Sequence, residues 1–169
     1  MNKTLEHVQK SLSFDKNNDS LTKLINRETF LNQINAALKH AKSKHAAHAL
    51  LYIDINHINI VNDVYNELTG DEVLIEFAKL LSQQHGKKVS SARLEDDKFA
   101  VLLLDRSIAQ AIGHAEAIRA DIEKSAVTIE NDQVSFTVSI GVTAILDHST
   151  SVDEIIEHAA VATQQAKDE

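Results

Sequence analysis

Residues able to do chemistry fall at a few points of the chain. Asp54-Ile55-Asn56 follows the apolar run at 49–53, and polar residues just past a buried strand are natural site candidates. Glu95-Asp96-Asp97-Lys98 sets three carboxylates and one ammonium between two apolar runs. Asn62 and Asp71 supply an amide and a carboxylate, although in isolation they read as a helix-internal Asn and an N-cap Asp. Asp19 and Asn26 are residue types that cap and turn a loop. His40, His45 and His48 suggest a metal cluster at first sight. Their spacing does not place all three on one helix face, and no acidic partner is fixed nearby, so they read as surface histidines.

The elements that must position these groups follow from periodicity. Leu5, Val8 and Leu12 predict a short leading helix over 4–12, broken by the polar stretch 15–20. Phe30, Leu31, Ile34, Ala37, Leu38 and Ala41 share one face of a helix over 28–44. The short apolar run 49–53 predicts a buried central strand. Helices are expected over 56–65 and 71–83 with Gly70 separating them, then strands over 89–94 and 99–104 joined by the charged tip 95–98. A helix over 109–124 precedes strands over 126–130 and 134–145 around the turn residues Asn131-Asp132. The last helix, 151–167, opens on Ser151-Val152-Asp153-Glu154, a capping box. This order, with a tight central hairpin, predicts an α/β sandwich with a mixed sheet and helices on its faces.

Bulk properties narrow the function. The 169 residues suit one domain with its own core, and 43% apolar with 25% charged residues is a globular profile. No apolar run reaches membrane-spanning length, and residues 1–12 are too polar for a signal peptide. The absence of cysteine excludes disulfides and thiolate metal sites and is compatible with the cytoplasm. A net charge of -8 argues against nucleic-acid binding, because no broad basic face is available for phosphates.

Four separated segments, in order, resemble the GGDEF family of diguanylate cyclase domains, covering nearly all of the chain from Asp19. Asp19-Ser20-Leu21-Thr22-Lys23-Leu24-Ile25-Asn26-Arg27-Glu28-Thr29-Phe30 is similar to the entry motif D-x-L-T-x-L-x-N-R-x-x-F. The stretch from Asp54 to Asp63, with Gly70-Asp71 beyond it, resembles D-x-D-x-F-K-x-I-N-D and its downstream G-D. Arg93-Leu94-Glu95-Asp96-Asp97-Lys98-Phe99 resembles the signature hairpin in worn form. Val138-Ser139-Ile140-Gly141-Val142, with the ending 159–167, looks like the closing A-D-x-A-L-Y-x-A-K region.

The resemblance implies a nucleotide-cyclase-like sandwich on a ferredoxin-like core, with a mixed sheet of about five strands, a central hairpin and helices on both faces. It divides the chain into a leading helix and linker, 1–18, and a degenerate GGDEF domain, 19–169. Family members join two GTP molecules into cyclic di-GMP using Mg²⁺. The matching metal ligands are Asp54, the carbonyl of Ile55 and a hairpin acid, and here Lys98 replaces that acid. An ammonium cannot ligate a cation and repels it. Glu95 and Asp96 stand where the family has Gly-Gly, adding side chains and negative charge where phosphate sits. Asp97 and Phe99 match. Asn62, Asp71, His57 and Lys167 are the nucleotide-binding candidates, an Asn–carboxylate pair being suited to the guanine edge. Asn59 replaces a phosphate-binding Lys, Asn66 and Glu67 replace Gly-His, and the last helix has Ala160, Thr163 and Gln164 for Asp, Leu and Tyr. The product-inhibition motif maps to Gly86 and Val89, which cannot serve it.

These departures imply an inactive domain that regulates a partner in cyclic di-GMP signalling, with residual GTP binding and no functional Mg²⁺ site. A structural or dimerisation module without nucleotide binding is the alternative, and an active cyclase ranks below both. The expected partner is an adjacent EAL-type or sensory domain, with a homodimer as a further possibility.

Overall fold

The structure is a computed structural model describing residues 16–83, 86–129 and 131–168. The helix expected over 4–12 lies outside the described residues. At the centre runs β1 (His48–Ile55), flanked by β3 (Lys98–Leu103) and β6 (Val138–Ile145), with β2 (Val89–Glu95) beyond β3. The four strands in the order β2-β3-β1-β6 pair antiparallel throughout, not in the mixed pattern expected. The reason is the tight β2–β3 hairpin, which inserts β3 reversed beside β1, while β6 returns reversed on the other flank. A single parallel bridge, Ile25 to Ala92, attaches the entry segment to the β2 edge.

All eight residues of β1 are buried, as a central strand covered on both faces requires. Its side chains alternate between the faces. Ala49, Leu51, Ile53 and Ile55 pack with α3 (Glu67–Ser82) and α4 (Ile108–Lys124) through Leu74, Phe77, Leu81, Ile118 and Ile122. On that face the rings of Phe77 and Phe99 meet edge-on, 4.7 Å between centroids. Leu50 and Tyr52 pack with α1 (Arg27–Lys44) and α5 (Val152–Asp168) through Phe30, Ile34, Leu38, Ile155 and Ala159. The expected sandwich with helices on both faces is therefore present.

Several boundaries move for local reasons. β1 extends past the apolar run, so Asp54 and Ile55 lie within the strand instead of after it. The break between α2 (Ile58–Val64) and α3 falls at Tyr65-Asn66, and Asn66 is the N-cap, accepting from Thr69 N–H at 2.8 Å. Asp71 is therefore not an N-cap, and Gly70 lies inside α3. The strand expected over 134–145 is two: β5 (Asp132–Ser135) pairs with β4 (Ala126–Ile129) in a separate hairpin, and β6 starts at Val138. Asn131, at φ 74, makes the turn of that hairpin, a conformation Asn tolerates. The Ser151 hydroxyl accepts from Glu154 N–H at the start of α5, the first half of the expected capping box, while the Glu154 carboxylate lies 3.6 Å from His158 Nε2.

His48 is not a surface residue. It opens β1 at 2% exposure, with Nδ1 accepting from the Asp105 N–H at 2.9 Å. Its place on a strand instead of the preceding helix is what helix-face spacing could not reveal.

Candidate functional site

Asp54, Lys98 and Ser139 form one row across the sheet, because the β1 register sets Asp54 opposite Lys98 on β3 and Ser139 on β6. By strand alternation this row shares the face of Tyr52 and Leu50, under α5. Asp54 is 7% exposed. Lys167, in the last turn of α5, donates to Asp54 Oδ2 at 3.1 Å. The other oxygen, Oδ1, is buried without a hydrogen-bond partner among the described residues. The Lys98 ammonium sits 3.6 Å from Asp97 Oδ1. Burial pulls the Lys98 pKa down, but Asp97, Asp54, Tyr52 and Glu95 together hold it above its ordinary value, so the charge is retained. Burial raises the Tyr52 hydroxyl in turn.

The placement of Lys167 depends on a close approach two residues back along β1. Gly141 on β6 faces Tyr52, and a Cβ there would lie 2.3 Å from the Ala159 carbonyl and 2.5 Å from Thr163 Oγ1. The missing side chain lets α5 settle onto the sheet. The Thr163 hydroxyl then reaches Ala159 O at 2.7 Å and Tyr52 O at 3.2 Å.

The hairpin tip is narrower than expected: Glu95 ends β2, Lys98 begins β3, and Asp96-Asp97 make the turn. Asp96 adopts φ 32, so one of the two positions where glycine was expected does need a left-handed backbone. Arg93 Nε donates to the Asp96 carbonyl at 2.9 Å, and Ile55 N–H donates to the Asp97 carbonyl at 3.2 Å. The turn is thus tied to its own strand and to the end of β1. Phe99 is wholly buried and serves the core.

Asn62 lies on α2 and Asp71 on α3. A Cβ on Gly70 would fall 1.8 Å from Asn62 Oδ1, so the Asn62 side chain lies directly on Gly70, one residue before Asp71. Asn62 is exposed and Asp71 half-buried, leaving polar atoms open to solvent. His57, exposed and left-handed at φ 64, precedes α2 without a side-chain cap. Asn59 is exposed on the same helix.

Two supporting contacts were not read from the sequence. Asn56 bridges to β6, its Nδ2 donating to Thr137 Oγ1 at 2.9 Å while its Oδ1 accepts from Ser139 at 3.1 Å. Asp19 accepts from both the N–H and the hydroxyl of Thr22, each at 2.8 Å, and pairs with Arg93 at 3.3 Å. The first half of the Asp19 role is the loop cap expected of it; the second joins the entry segment to the hairpin. An Arg flanking an acidic tip was the available signal. Beside the row, a groove of about 550 Å³ is lined by Asn56, Glu116, Arg119, Glu123, Ser139 and Lys167. Arg119 is already bound to Glu116 and Glu123.

Comparison with known proteins gives one consistent result. A family model described as "Diguanylate cyclase, GGDEF domain" matches residues 16–169. The uncharacterized protein YhcK of Bacillus subtilis is 34% identical over 134 residues, 78% of this chain and 37% of that protein. The probable diguanylate cyclase DgcE of Escherichia coli is 30% identical over 158 residues, 94% of this chain and 14% of that protein. The chain thus spans between 14% and 37% of the length of these two curated relatives. Among solved structures, the GGDEF domain of TpbB (YfiN) from Pseudomonas aeruginosa superposes with a TM-score of 0.83 at 31% identity, covering 89% of this chain and 88% of that one.

Proposed function

Because the chain belongs to the GGDEF family of diguanylate cyclase domains, we propose that it is a catalytically inactive member, a regulatory module of cyclic di-GMP signalling. The observation that carries this reading is the Asp54 row. A cyclase site needs a divalent cation to neutralise the triphosphate and activate the attacking hydroxyl. Here the only carboxylate of the row is bonded to Lys167 and faces Lys98 across the strand pair. The carboxylates of Asp54 and Asp97 are each paired with an ammonium, of Lys167 and Lys98, and this does not fit Mg²⁺, which wants a set of oxygen donors without competing cations. The acidic tip adds Glu95 and Asp96 where a phosphate would approach.

Nucleotide recognition is a separable property. Asn62 packs on Gly70, next in sequence to Asp71, and both residues keep solvent access, which supports residual, cation-independent GTP binding through the guanine edge. His57 and Lys167 are the further nucleotide-binding candidates, Lys167 with its charge already committed to Asp54. The unmatched length of the relatives supports regulation of an attached domain, read here as EAL-type or sensory, with pairing to a second copy as the alternative. Among the described residues no helix is long and apolar enough to cross a membrane; we place the domain in the cytoplasm.

Incubation with GTP and Mg²⁺ or Mn²⁺, followed by chromatography, tests inactivity: no cyclic di-GMP is expected, and its formation overturns the reading. Calorimetric titration with GTP tests the ligand, with equal binding with and without Mg²⁺ and its loss in Asp71→Ala as the expected result. Absence of heat in both conditions would leave an interaction module without nucleotide.

A further inference from the structure

At the end of β1 remote from Asp54, three side chains from separate elements converge. His40 lies on α1, His48 opens β1, and Asp105 follows β3. His40 Nδ1 and His48 Nε2 are 3.0 Å apart, and one potential ligand atom from each of the three lies within 4.8 Å of the other two. They line a cavity of about 460 Å³ between α1 and the sheet, whose floor on α1 is Ala36 and Ala37. Gln33 also borders it, and its Oε1 is buried without a hydrogen-bond partner among the described residues. Two imidazoles and a carboxylate make a donor set for a borderline-soft divalent ion such as Zn²⁺, which binds three protein ligands readily and completes its shell with water.

We propose that His40, His48 and Asp105 form a binding site for a transition-metal dication, Zn²⁺ by preference. The site lies about 20 Å from Asp54, six strand residues along β1, so it is independent of nucleotide handling.

Two groups resist the ion, and the second defines a test. The Asp105 N–H donates to His48 Nδ1, so the neutral ring carries its proton on Nε2, aimed at His40. Metal at Nε2 must displace that proton to Nδ1, and the Asp105 N–H then turns to water. Asp105 sits on an exposed turn at φ 54, where water is at hand. Its carboxylate, 3.9 Å from His48 Nδ1, is also bonded to Lys88. The exposed Lys88 ammonium must leave for the ion to arrive, and it competes with it for the same oxygen.

The experiment is titration of the full chain with Zn²⁺ alone against a chromophoric chelator. One site per chain is expected. His40→Ala should weaken it at least tenfold, whereas Lys88→Met, by removing the competing cation, should tighten it severalfold. A second exposed group, His45 and His148 about Asp147, serves as control, and His148→Ala should leave the affinity unchanged. His40 and Lys88 are exposed, so neither variant is expected to unfold the chain, with circular dichroism as the check. No binding, equal affinity in His40→Ala, or loss in His148→Ala in its place each overturns the site.

Discussion

Lys98 lies directly opposite Asp54 in the β1–β3 ladder, the two side chains projecting from the same face of the sheet. A like-charged neighbour there would set two carboxylates together beside a half-buried floor. Lys98→Glu is therefore expected to lose about 1–3 kcal/mol at neutral pH without divalent cations. Millimolar Mg²⁺ should restore part of that loss in the variant and leave the wild type unchanged. Denaturant unfolding with and without Mg²⁺ measures both, and a Mg²⁺-dependent wild type would contradict the reading of the row.

Gly141 and Thr163 give a graded pair of substitutions. Gly141→Ala forces a methyl into the Ala159 carbonyl and the Thr163 hydroxyl, so α5 must lift, at a cost of about 3 kcal/mol. Thr163→Val keeps the shape and forfeits the hydroxyl contacts, at about 1 kcal/mol. Thermal unfolding should rank them in that order, with the Lys167 amine losing its nuclear-magnetic-resonance contact to Asp54 only in Gly141→Ala.

At the hairpin tip the backbone of Asp96 decides what is tolerated. Asp96→Gly should be within about 1 kcal/mol of neutral, because relief of the left-handed conformation offsets the added freedom of the unfolded chain. Asp96→Val, branched at Cβ and unable to relax there, should cost about 1–2 kcal/mol. Chemical denaturation of the two variants distinguishes a conformational role for the residue from a purely electrostatic one.

Asp19 predicts a pH dependence. Burial pushes its carboxyl up, but bonds from the Thr22 N–H and hydroxyl, with the Arg93 charge, outweigh burial and hold the pKa below 3.8. A carboxyl depressed on folding contributes its stability in full above the unfolded value and loses it as pH falls through the folded one. The stability gap between wild type and Asp19→Asn should thus be steady near neutrality, at about 1 kcal/mol, and close as pH drops below 3.8. A gap that widens in acid would reverse the sign.

The layers of the fold were legible because periodicity reports burial: Phe30 to Ala41 and Leu74 to Leu81 show the helix stripe, and 49–53 shows the central strand. Asp54 was misplaced by the same rule, since a charged residue ends an apolar run even when the strand continues. The join at Asn66 was hidden by Gly70, whose purpose is to admit Asn62 and not to stop a helix. The pairing of Lys98 with Asp54 depends on register, and that of His40 with His48 on packing of α1 over β1; neither has a local signature. Motif matches singled out Asn62 and Asp71, but the packing of Asn62 on Gly70 comes from the approach of two helices and has no local signature.

Arg93 touches both ends of a short relay: its guanidinium holds Asp19 at 3.3 Å and the Asp96 carbonyl at 2.9 Å. The segment ahead of α1 is pinned to the same place, with Ile25 N–H on the Ser91 carbonyl and Arg93 N–H on the Ile25 carbonyl. Arg93 is therefore the residue through which the entry segment and the hairpin share both side-chain and backbone contacts. The segment ahead of α1 is thus tied twice, through Asp19 and through Ile25, to the hairpin whose Lys98 faces Asp54.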